Sequence, residues 1–102
     1  MLEYNSSYRG FTPIFQSGKW LVAVNSYNNG VNDVLSVRAL SKHLKTDEVF
    51  ILLAGKCSLL TAGKEEIPGE LKCKSLESGK IYVVERNEWH VAVFEEGGQV
   101  VT

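Results

Sequence analysis

Two histidines, His43 and His90, are the side chains of this 102-residue chain best suited to move a proton or bind a metal near neutral pH. Each alone suits a hydrogen-bonded residue at the rim of a strand equally well, and Glu48 alone suits a solvated turn. The cysteines, Cys57 and Cys73, form no Cys-X-X-Cys pair. A hairpin centred near Glu65 would set them opposite each other, but two small, reduced, buried apolar side chains is the simpler expectation. No Ser/His/Asp or nucleophilic-cysteine pattern stands out, which removes those classes of catalysis.

The segments that must position these residues read as short strands punctuated by glycine and asparagine, with no helical period. Residues 1–19 are expected to form a polar, turn-rich arm packing on the domain of residues 20–102. Strands are expected at Trp20–Tyr27, Val34–His43, Glu48–Leu53, Cys57–Ala62, Leu71–Leu76, Ile81–Val84, Trp89–Phe94 and Gln99–Thr102. In the second of these, Leu35, Val37, Ala39, Ser41 and His43 share one face and Ser36, Arg38 and Lys42 the other. The first set is apolar until its last two members, which places His43 on an inward-facing row. In the seventh, His90, Ala92 and Phe94 share a face. Trp20 and Trp89 are expected to pack rather than to bind. About eight strands without a helix indicate an all-β sandwich or antiparallel barrel.

From His43 onward the sequence resembles the cupin superfamily of small jelly-roll barrels (double-stranded β-helices). His43, Glu48 and Gly55 stand at the spacing of the first cupin motif, with glutamate five positions after histidine and glycine seven after glutamate. Gly79 and His90, eleven positions apart, match the second motif. The match spans roughly residues 20–100. Ser41 stands where the first motif has its leading histidine, Glu85 and Asn87 replace a proline and a glycine, and Phe94 replaces a final asparagine.

The resemblance implies a metal site built from His43, Glu48 and His90. Two imidazoles and a carboxylate suit a divalent ion, as zinc with an open position or as the facial triad of non-haem iron, with manganese and nickel equally admissible. Ser41, Phe50 and Phe94 are expected to line the pocket, with Tyr82 a further candidate. The Ser41 hydroxyl would reach a metal-held water, whereas Lys42 points away.

Eleven basic against 12 acidic side chains leave a formal charge of −1, which argues against nucleic-acid binding. The longest apolar runs are strand-sized, and no signal peptide is visible, so a cytoplasmic protein is expected. Three functions fit: a metal-dependent enzyme acting on a small polar molecule such as a sugar or a keto or hydroxy acid, a non-catalytic small-molecule binding or sensing module, and a metal-free isomerase or epimerase using histidine and tyrosine. A homodimer, typical of small cupins, is expected.

Overall fold

The computed structural model describes all 102 residues and contains eight strands and no helix, hence none that could cross a membrane. In chain order they are β1 (Gly10–Ser17), β2 (Trp20–Ser26), β3 (Glu48–Ala54), β4 (Cys57–Thr61), β5 (Lys72–Ser75), β6 (Ile81–Val84), β7 (His90–Phe94) and β8 (Gln99–Val101). They form two antiparallel sheets, one ordered β1-β2-β8-β3-β6 and one ordered β5-β4-β7. No strand ladder joins the two sheets.

Period-2 alternation drives the packing between the sheets. Phe50 of β3, Val84 of β6 and Val100 of β8 turn inward from one sheet, and Cys57, Leu59 and Phe94 from the other. With Leu76 they make a core of seven buried residues. On β7 the expected face holds: His90 and Phe94 are buried, and Ala92 packs against the core between them. Burial pushes the Cys57 thiol up to about 12, so it is a packing residue, whereas Cys73 is exposed.

Three expectations for the N-terminal half are corrected. Residues 10–17 are not arm but strand β1, which pairs with β2 along its whole length, with an irregularity between Pro13 and Phe15. Pro13 is tolerated because β1 is an edge strand. The shorter arm that precedes it does reach the sheet, since Gln99 Nε2 donates to the Ser6 carbonyl. Residues 34–43 form no strand. The connection from β2 to β3 is irregular, pairing only through an isolated bridge between Ser41 and His90. Val34 and Leu35 are exposed, so the alternation there does not sort the segment into inner and outer faces. Trp20 is also exposed, resting on Phe15 with ring centroids 5.7 Å apart.

Gly55 marks a close approach. Its φ is +62°, and a Cβ there would lie 2.4 Å from the Gly97 carbonyl oxygen. Gly79 has φ +84° but open space around it. The Gly55→Ala variant should therefore lose about 2–5 kcal/mol, combining left-handed strain with backbone overlap. Gly79→Ala should lose only about 1–2 kcal/mol from the strain. Urea denaturation of both variants checks the difference, and equal losses would mean the turns at Gly55 and Gly97 are not in contact.

Candidate metal centre

His43, Glu48 and His90 come together. Their ligating atoms all lie within 4.8 Å of one another. Glu48 opens β3 on the same face as Phe50, and His90 opens β7, so both side chains stand at strand starts at one end of the space between the sheets. His43 comes from the irregular connection, which is fixed by three backbone contacts. The Ser41 N–H donates to the His90 carbonyl (3.0 Å) and the His90 N–H to the Ser41 carbonyl (2.8 Å). The Asn87 N–H donates to the His43 carbonyl at 2.7 Å.

The geometry converges on one oxygen. Nε2 of His43 and Nε2 of His90 each lie 3.0 Å from Glu48 Oε1. The other oxygen, Oε2, accepts the Thr102 hydroxyl at 2.8 Å, which holds the carboxylate plane. His90 Nδ1 lies 2.8 Å from the Glu88 carbonyl, to which it donates, leaving Nε2 turned toward Glu48. A backbone acceptor behind an imidazole is the usual device for fixing the tautomer of a metal ligand. Two ligands held 2.0–2.2 Å from one ion stand about 3.0–3.4 Å apart, and both His–Glu48 separations fall at that spacing. The His90 side chain is nearly sealed, Glu48 is partly open, and His43, 48% exposed, forms the solvent side.

The charges hold together without an ion. Burial pushes Glu48 upward, but hydrogen bonds from His90 and Thr102 and the two imidazoles outweigh it and leave its pKa below the ordinary 4.5. Burial likewise pulls His90 down, yet the Glu48 carboxylate and the Glu88 carbonyl hold it above 6.5.

Two of the three residues expected to line a pocket, Ser41 and Phe50, border one cavity. A cavity of about 470 Å³ beside the three ligands is lined by Ser41 and Phe50, a size common for small-molecule sites. Phe50 meets His90 edge-on with centroids 6.3 Å apart. Phe94 is not part of it: it is 1% exposed and belongs to the core. It shares the face of His90 but sits four residues further along β7, roughly 13 Å deeper. Tyr82 packs against the core and its hydroxyl accepts the Glu77 N–H, away from the site. Lys42 does point elsewhere, with Nζ 4.6 Å from the centre of the Trp89 ring. Arg38 and Ser36, expected to face away, line the cavity because their segment is not a strand.

Sequence reasoning missed Thr102, Asn25 and Arg38. Thr102 shares the inward parity of Val100 and continues its row by one step. Asn25 is the polar interruption in the apolar run from Leu21 to Val24. Neither signal is specific until the partner strands are known. No known protein family and no curated protein matches this chain.

These shifts give a signed pH dependence for the metal-free protein. The raised His90 contributes stability that is complete below pH 6.5 and is lost as pH rises through its folded value. The lowered Glu48 contributes stability that is complete above pH 4.5 and is lost as pH falls through its folded value. With chelator present, the stability of the wild type relative to His90→Gln should be greatest between about pH 4.5 and 6.5. Urea midpoints across pH 3–9 measure it, and a pH-independent difference would contradict the pairing.

Proposed function

We propose that this chain is a small cupin-type jelly roll whose His43, Glu48 and His90 hold one divalent metal ion beside a pocket for a small polar molecule. The observation that carries the reading is the approach of both Nε2 atoms to a single carboxylate oxygen, at 3.0 Å each. The cupin resemblance adds the spacing of His43, Glu48, Gly55, Gly79 and His90, and the two antiparallel sheets are compatible with it. With three protein ligands, a bound ion keeps positions for a substrate oxygen or a water and acts as a Lewis acid. The protein's own residues orient the site: Glu88 through His90 Nδ1, Thr102 through Glu48, and Phe50 by closing its apolar side. The isomerase reading with a catalytic tyrosine has less support, because no tyrosine lines this cavity.

Protein purified without chelator or metal-affinity tag should carry one ion per chain by elemental analysis. His90→Ala should weaken binding by more than about 100-fold, since outer-shell changes alone cost 10–100-fold. Affinity should fall as pH drops from 7 to 5, as protons compete for the imidazoles, the reverse of what the metal-free stability does. Ser41 exchanges two hydrogen bonds with His90 across the bridge, so their side chains share a face. Ser41→His should therefore tighten binding, as titration calorimetry would show. An intact fold with no metal bound at pH 7.5 would transfer the pocket to the binding-module reading.

The same chain is proposed to act as a homodimer. On the outer face of β3 and β6, Val49 pairs with Val83 and Ile51 with Ile81, and these four side chains are 36–69% exposed. β6 is also a free sheet edge. A contiguous aliphatic patch next to an unpaired edge suits a second copy, related by a two-fold axis, better than open water. Light scattering should give a dimer mass, and the double variant Ile81→Glu, Val83→Glu should give a folded monomer. A monomeric wild type at 50–100 μM, roughly, would end this proposal.

A further inference from the structure

We propose that a second, apolar chamber adjoins the triad and that the ligand is an amphiphile, with a polar head at His43, Glu48 and His90 and a short alkyl or aryl tail against Phe11, Leu21 and Ala23. The uneven cover of the wider sheet points to it. Leu21, Ala23 and Asn25 share one face of β2, and Asn25 pairs with Phe11 on one side and with the fully buried Val100 on the other. Directly paired residues share a sheet face, so Phe11, Leu21 and Ala23 all face inward. Across the same sheet the inward residues Phe50, Val84 and Val100 are sealed, and the core cluster takes no residue from β1 or β2. Phe11 and Leu21, facing the same way, are 54% and 41% exposed. They open onto a cavity of about 540 Å³, bordered also by Ala23, Thr102, His43 and Glu48.

This chamber meets the first at the triad, because Phe11, His43 and Glu48 border both. Glu48 stands between them. Its Oε1 faces His90, which borders the first cavity and not the second. Its Oε2 takes the hydroxyl of Thr102, which borders the second and not the first. Ala23 and Thr102 exchange backbone hydrogen bonds of 2.7 and 2.9 Å, which fixes the wall beside that carboxylate. The other charged groups on the border stand toward solvent: Lys19 is exposed in the turn between β1 and β2, and the exposed Asp47 accepts the Arg86 N–H. An apolar wall with a few polar groups gathered at one end is the build of a small-molecule site. Neither the N-terminal arm nor the proposed dimer covers this wall. The arm is held to Gln99, which flanks Val100 and so faces outward, and the aliphatic patch of β3 and β6 lies on the outer face as well. An alkyl or aryl tail fits as the cover, since it removes this apolar surface from water beside a head that reaches Glu48.

This inference rests on the triad facing a ligand, as proposed above, and extends that small polar molecule by an apolar tail. Titration calorimetry of zinc-loaded protein with acetohydroxamate and hexanohydroxamate is the test. The two share a metal-binding head, and their tails differ by four methylenes. Each buried methylene strengthens binding by about fourfold, so with only part of the tail covered wild type should prefer the longer acid by about tenfold or more. Leu21→Asn and Phe11→Ser should each reduce that preference to about threefold or less, as the tail loses its wall. Equal binding of the two acids by wild type overturns the inference. So does a preference that survives both substitutions undiminished, which would put the tail in the first cavity. A second measurement needs no metal: amide NMR of chelator-treated protein with 1-hexanol, against ethanol at the same concentration. The shifts should centre on Leu21, Ala23 and Thr102, and shifts centred elsewhere, or none, overturn the chamber. Hexanol shifts at those residues in a protein that takes up no zinc would sink the metal reading and leave the chamber standing.

Discussion

The half-buried carboxylate of Glu48 is the constraint around which this small domain is arranged. A charged group at the mouth of an apolar core is costly unless its lone pairs are filled. Here one oxygen takes the Thr102 hydroxyl and the other faces two imidazoles. Those partners come from the end of the β8 segment, the start of β7 and the connection just before β3, so satisfying one group ties the start of β3 to two distant stretches of chain. With only seven residues in its buried core cluster, the domain depends on such polar ties more than a larger one would.

The same arrangement separates what the metal-free and metal-loaded protein each require. Without an ion, charge balance favours a proton on His90 hydrogen-bonded to the Glu48 carboxylate, and the raised imidazole pKa expresses that preference. With an ion, the proton must leave, because only neutral nitrogen ligates. The fixed hydrogen bond from His90 Nδ1 to the Glu88 carbonyl serves both states, since it uses the nitrogen that neither partner needs.

Much of this centre was legible in the sequence because it depends on strand parity. His90, Ala92 and Phe94 alternate with Val91 and Val93 on a strand that pairs as expected, so the inward direction of His90 followed from counting by two. Glu48 was marked by its spacing from His43 in the cupin resemblance and not by parity, since the strand it opens is apolar on both faces. Depth along the strand was not legible: parity placed Phe94 on the right face but not at the bottom of the core. The alternation of Leu35, Val37 and Ala39 misled for a different reason. The edge of β7 is free, but this connection meets it only at separated points, at Ser41 and through the Phe94 N–H to the Asn32 carbonyl, so no continuous ladder forms. β1 was hidden for the converse reason, because Pro13 interrupts its pattern while the edge position and the irregularity after it accommodate the missing donor.

His43 reaches the site although its strand does not exist, and the polar corner before β7 explains how. At Asn87 the chain turns with φ +68°, a left-handed conformation that asparagine tolerates better than most side chains. Asparagine thus does there what a glycine would do. That turn aims successive amides at the preceding connection: the Arg86 N–H reaches Asp47 Oδ1 at 2.9 Å, and the Asn87 N–H reaches the His43 carbonyl at 2.7 Å. Together with the Ser41 bridge, these contacts tie residues 41–47 to β7 and the turn before it. The spacing from His43 to Glu48 then gains its meaning from this clamp, since five residues of irregular chain would otherwise let the imidazole drift away from the carboxylate. The position of the ligand is set by its neighbour's turn, and the secondary structure of its own segment is secondary to that.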